Sequence, residues 1–131
     1  MISMDCQYIQ LFNITMTENI GSDRLFFLAF SNMDILQSSF YDLISEPPAI
    51  FEISYSNLTM NNLNFTNFYP RLVYATGSGV NVSNCVFSNS TYIYLQNPMT
   101  VFYFEYQMQF IIENSTFDNL MNNLNGPVNK N

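Results

Sequence analysis

The 131-residue chain has no histidine, no tryptophan, four glycines, two cysteines, and three lysines and arginines against ten acids. Each shortage closes a class of function. Without histidine there is no imidazole base, and no Gly-x-Ser-x-Gly motif occurs, so catalysis would have to be built from carboxylates. The formal charge is −7, and Arg24, Arg71 and Lys130 are scattered, so no basic patch is present to hold phosphates. This excludes a nucleic-acid surface and disfavours an anionic membrane as a partner. The richest apolar stretch, Met99 to Ile112, is interrupted by Glu105, Gln107 and Gln109, and no membrane span is expected.

What the chain does have is asparagine and a repeat. An eleven-residue pattern occurs at Ile2–Phe12, Leu28–Ser38, Leu58–Phe68, Val80–Ser90 and Phe110–Leu120. Positions one, three and eight are apolar in every window. Position five is Asn in four (Asn32, Asn62, Asn84, Asn114) and position ten is Asn in three (Asn67, Asn89, Asn119). Starts separated by 26, 30, 22 and 30 residues are long enough for one coil of several short strands, which predicts a solenoid. Apolar residues at one and three fit a strand that buries alternate side chains, and the apolar residue at eight restarts the alternation after a corner. Asn tolerates the left-handed backbone such a corner needs, in a chain with little glycine. Stacking at roughly 4.8 Å would set equivalent Asn side chains above one another as inward-facing hydrogen-bonded ladders.

Between the windows, Ile50–Ser54, Arg71–Ala75 and Val101–Tyr106 read as strands entering the next coil, rich in β-branched and aromatic residues. Alternation in the last of these would bury Phe102, Phe104 and Tyr106 and expose Tyr103, which with Tyr92 and Tyr94 could form an outward tyrosine stripe. Ser45–Pro48 interrupts pairing, and Thr76–Gly79 and Gln96–Pro98 read as turns. Residues 1–121 are expected to form the coils, and 122–131, polar with Gly126-Pro127, a tail or linker.

The strings VSNCVFSNS (Val82–Ser90) and IENSTFDNL (Ile112–Leu120) resemble coils of right-handed parallel β-helices of the pectin-lyase-like class. They are especially similar to the Asn-rich Phe-x-Asn coils of polymorphic surface proteins and ciliate surface proteins. The resemblance implies an all-β, right-handed parallel β-helix of about five coils with Asn ladders at its turns. Polysaccharide-cleaving enzymes of this fold use clustered Asp residues, often with Ca²⁺. Here Asp23-Arg24 is the only adjacent acid–base pair and Glu113 with Asp118 the only acids sharing a window, so no catalytic, metal or cofactor residue is assigned.

Six Asn-x-Ser/Thr sequons occur, at Asn13, Asn57, Asn64, Asn81, Asn89 and Asn114, where composition alone gives about three. Asn64 and Asn81, at window positions seven and two, should face outward and carry glycans, and Asn13 and Asn57 lie just outside windows as further candidates. Asn89 and Asn114 fall at ladder positions. Cys6 and Cys85 fall three coils apart, about 14 Å, twice the roughly 7 Å limit for a disulfide, so they read as small buried hydrophobes unless one pairs with another chain. No helix covers either end and no secretion signal is seen in Met1–Phe12, which suggests a segment whose signal lies elsewhere. The expectation is a non-enzymatic structural or adhesive segment of an extracellular or cell-surface glycoprotein assembly. Its partners would be other coils of a longer chain or neighbouring subunits. A fragment of a carbohydrate-active enzyme and an intracellular scaffold are the alternatives.

Overall fold

Short runs in which every second side chain is apolar cannot bury that face alone, and this chain buries it by coiling. A computed structural model describes residues 2–4, 8–17, 25–44, 49–69, 71–90, 101–106 and 109–120, the first three as backbone strand only. The strands follow in chain order: β1 (Ile2–Met4), β2 (Tyr8–Phe12), β3 (Thr15–Thr17), β4 (Phe26–Ala29), β5 (Asn32–Leu36), β6 (Ser39–Ile44), β7 (Phe51–Ser54) and β8 (Asn57–Asn61). Then come β9 (Asn64–Tyr69), β10 (Val73–Thr76), β11 (Gly79–Ser83), β12 (Val86–Ser90), β13 (Phe102–Glu105), β14 (Gln109–Glu113) and β15 (Thr116–Leu120). Every third strand joins the same parallel sheet: β1-β4-β7-β10-β13 in sheet A, β2-β5-β8-β11-β14 in sheet B and β3-β6-β9-β12-β15 in sheet C. The protein is an all-parallel β-solenoid, a β-helix, with no helix among the described residues.

Inward positions repeat at each level. Leu58, Met60, Val80 and Val82 from sheet B, Phe65 and Phe87 from sheet C, and Phe51, Ile53, Val73 and Ala75 from sheet A are all buried. In sheet C the rings stack as a column: Phe40–Phe65, Phe65–Phe87 and Phe87–Phe117 have centroids 4.6, 5.6 and 4.9 Å apart with planes within 19° of parallel. Phe51 of sheet A meets Phe40 and Phe65 edge-on at 6.4 and 6.2 Å. Stacked pairs along the axis and edge-to-face pairs across it are both favoured by the ring quadrupole, at about 0.5–1.5 kcal/mol per pair beyond area burial.

Among the described residues each bend uses one residue with positive φ, two sets turning the chain from one sheet to the next and a third bending the strands of sheet C. Between sheets A and B these are Phe30, Tyr55, Gly77 and Tyr106; between B and C, Asn13, Gln37, Asn62, Asn84 and Asn114; within sheet C, Asp42, Asn67, Asn89 and Asn119. Pairing in sheet C skips Asn67 and Asn89, running from Ser88↔Thr66 to Ser90↔Phe68. One left-handed residue resets the strand's phase, so Phe65 and Phe68 both point inward although three positions apart.

The register corrects the first two repeat windows. Val80 pairs with Leu58, Leu58 with Met33 and Met33 with Ile9, so the equivalent windows begin at Ile9 and Met33 rather than at Ile2 and Leu28. Leu28 lies opposite Ile53 in sheet A. The misreading arose because Leu28-x-Phe30-x-Asn32 has the same apolar spacing, with Phe30 in place of a core residue although it stands outside at a corner. Equivalent positions in sheet B are 24, 25, 22 and 30 residues apart, and the differences fall between sheet C and the next sheet A strand, except for one extra residue between β13 and β14.

Candidate functional site

The buried ladder at the corners is made of serine, not asparagine. Between sheets A and B the described residues that follow a positive-φ position are Ser31, Ser56 and Ser78, all buried. Each hydroxyl donates to the carbonyl two residues back, at 2.8–2.9 Å, and those of Ser56 and Ser78 accept the backbone N–H of the preceding level: Ser31 N–H to Ser56 Oγ and Ser56 N–H to Ser78 Oγ, both 3.1 Å. At the next corner Ser38 and Ser115 do the same for Ile14 and Cys85. This satisfies amides that the bend takes out of the sheet ladder.

Asn62, Asn84 and Asn114 therefore do not turn inward as expected. Their side chains are exposed, and what they contribute is the left-handed backbone, with the Asn62 and Asn84 amides donating at 3.1 Å to Ser83 and Glu113 carbonyls. Asn32 leaves this set altogether. It stands opposite Asn57 at the start of sheet B, where Asn57 Nδ2 donates to Asn32 Oδ1 at 2.8 Å, and Asn13 takes the corner position instead. In sheet C, side-chain bonds do run between levels: Asn119 Nδ2 donates to Asn89 Oδ1 at 2.7 Å, and Asn67 Nδ2 to Asp42 Oδ1.

Among the sequons, Asn81 is exposed in the middle of β11, one strand in from the edge of sheet B, between Thr59 and Ile111. Asn64 is half-buried and accepts from Thr66 Oγ1 at 3.4 Å. Asn57 is exposed, but its Oδ1 lies 2.5 Å from where a Gly79 Cβ would stand, so its side chain lies over Gly79 while it bonds Asn32. Cys85 is buried with Sγ 3.1 Å from the Ser83 carbonyl, and burial pushes its thiol up, away from the reactive thiolate. Cys6, Asp23-Arg24, Tyr92, Tyr94, the turns at 45–48 and 96–98 and the 122–131 tail lie outside the described residues.

The most concentrated chemistry on the surface is aromatic. On the outer face of sheet A, Tyr74 and Tyr103 stack at 5.4 Å, and the Arg71 guanidinium carbon lies 4.8 Å from the Tyr103 centroid and 5.9 Å from that of Tyr74. Burial pushes Arg71 down from its ordinary range, opposed by the two phenols, while burial first and hydrogen bonding to Glu105 second push Tyr74 up. Beside this face runs the corner of positive-φ aromatics: Phe30, Tyr55 and Tyr106 are 75%, 61% and 85% exposed, and Phe30 stacks on Tyr55 at 5.5 Å. The Tyr55 ring lies within 2.8 Å of where a Gly77 Cβ would be, so the glycine leaves room for it. Tyr8, also exposed, donates its hydroxyl to Asp34 Oδ2 at 2.7 Å, and that bond pushes its pKa up.

Tyr106 is thus outward, against the alternation that would have buried it, because the bend begins at that residue. Phe30 and Tyr55 were not singled out by sequence, although the repeated aromatic-Ser-Asn of Phe30-Ser31-Asn32 and Tyr55-Ser56-Asn57 marks them. A bulky residue in the left-handed region costs roughly 1–2 kcal/mol relative to its favoured conformations, which Asn largely escapes. No protein-family model matches the chain, and neither a curated protein nor a solved structure is significantly similar to it.

Proposed function

We propose that this chain is a non-enzymatic structural or adhesive segment of an extracellular or cell-surface glycoprotein assembly, a right-handed β-helix akin to the pectin-lyase-like repeat proteins. The observation that carries the reading is the state of the final level. Ile112 and Phe117 are 38% and 41% exposed, whereas Val82 and Phe87, their register partners one level earlier, are 1% and 0%. Among the described residues the core column thus ends in an apolar level whose strands β13–β15 are edge strands, a surface suited to stacking on further coils or on a neighbouring subunit. Exposed Glu113 and Asp118 stand on different sheets, an arrangement that favours a structural wall over a paired-carboxylate site. Sequons on the outer wall, with Asn81 foremost, support exposure to the glycosylation machinery.

Sedimentation velocity over a hundredfold concentration range tests the end. The chain should form larger species as concentration rises, and Ile112→Lys with Phe117→Lys should hold it monomeric without loss of the sheet spectrum. A chain that stays monomeric throughout would remove the basis for an assembling segment.

A further inference from the structure

The bends supply an internal control. At nine positions with positive φ the chain uses Asn, Asp or Gln, small or flexible polar residues, seven of them Asn. At the corner between sheets A and B it uses Phe30, Tyr55 and Tyr106, all largely exposed, with Gly77 between the last two. The fold demands only a residue that tolerates this backbone, and the other corners show that Asn suffices. Phe30 and Tyr55 stack on each other outside the core, so these strained, solvent-exposed aromatics are a surface feature rather than a requirement of core packing.

What would lie on that line follows from charge and from Arg71. The chain carries ten acids against three Lys and Arg, and Glu105 and Asp34 flank the corner from sheets A and B. On the outer face of sheet A, at the other end of β10 from this corner, the chain's own Arg71 shows that exposed tyrosines of this wall take a guanidinium, laid over Tyr103 and Tyr74 at 4.8 and 5.9 Å. The stacked Phe30–Tyr55 pair, Tyr106 two levels further on, and a carboxylate near either end of the line, Asp34 and Glu105, offer cation–π and ion-pair positions to a chain running along the axis. We infer that the corner ridge of Phe30, Tyr55 and Tyr106 docks an arginine-bearing extended polypeptide. The planar guanidinium, weakly hydrated and able to stack, is favoured here over the ammonium of lysine. Tyrosine also gives contact area at low conformational cost. This goes beyond the structural reading above, since docking at the corner requires neither growth at the ends nor a glycan on the wall.

Calorimetric titration of the whole chain at physiological ionic strength, where bare charge is screened beyond about 8 Å, tests it. The titrants are hexa-arginine, hexa-lysine and cellohexaose. Hexa-arginine should bind saturably and at least fivefold more tightly than hexa-lysine. The triple variant Phe30→Asn, Tyr55→Asn, Tyr106→Asn places a residue that accepts the backbone at each bend, so it should keep its circular dichroism spectrum while losing at least tenfold in affinity. Because folding is retained, the loss reads on the ridge alone. Equal binding of hexa-lysine would reduce the effect to net charge. Unchanged affinity in the triple variant would place binding elsewhere. Binding of cellohexaose without hexa-arginine would make the ridge a neutral-glycan platform. Each of these, and absence of any binding, overturns the proposal.

Discussion

A single backbone requirement explains most of the asparagine at the bends. A left-handed residue clashes through its Cβ with the following carbonyl, a cost that glycine avoids and asparagine largely escapes. Asn84 has φ of 53° and an exposed side chain, so its value lies in conformation and not in a buried amide. Asn84→Ala should cost about 1 kcal/mol and lower the melting temperature by roughly 3–5 °C. Asn84→Gly should be close to neutral, and Asn81→Ala, on an open strand face, should cost little. Melting curves of the three variants decide the matter. If the glycine variant fell as far as the alanine one, a side-chain contact of Asn84 would have to be restored to the account.

At the scale of the strand, the phenylalanine column of sheet C is the main internal support. Phe65 is buried between Phe40 and Phe87 and touched edge-on by Phe51, whereas Phe117 has a stacked neighbour on one side and is partly exposed. Phe65→Ala should cost about 3–5 kcal/mol and Phe117→Ala markedly less, as read from urea midpoints. Equal costs would mean that the last level is covered. This column and the parallel pairing of sheets B and C were legible in the sequence, because Phe65, Phe87 and Phe117 share one phase with the Asn that follows two positions later. Strands β7, β10 and β13 were legible from their β-branched and aromatic content. The phase of the first two windows was not, because sheet A alternates like sheet B and an exposed Phe30 reads as core. The serine ladder was hidden for a related reason: Ser31, Ser56 and Ser78 look like ordinary turn residues until the coil brings the Ser56 and Ser78 hydroxyls to the preceding level's amides. The aromatic ridge escaped notice because alternation predicts inward or outward only while the strand continues, and Tyr106 sits where it stops.

Across the whole molecule, positions on one wall differ in what they can bear. Asn81 projects freely from sheet B, while Asn57 is held by Asn32 and pressed on Gly79. On material produced in a secreting host, glycopeptide mass spectrometry should find Asn81 occupied more fully than Asn57, and sugar absent from all six sequons would argue against an extracellular site of action. The parallel register has a mechanical side as well. Every rung is bonded only to the rungs beside it, through hydrogen bonds that lie along the solenoid axis. Tension applied at the two ends therefore pulls those bonds apart row by row rather than shearing whole sheets together. Each row of 22–30 residues that lets go pays out a tether of up to about 70–110 Å. A chain built this way is stiff until it yields and then lengthens in steps, so under load it behaves as a shock absorber.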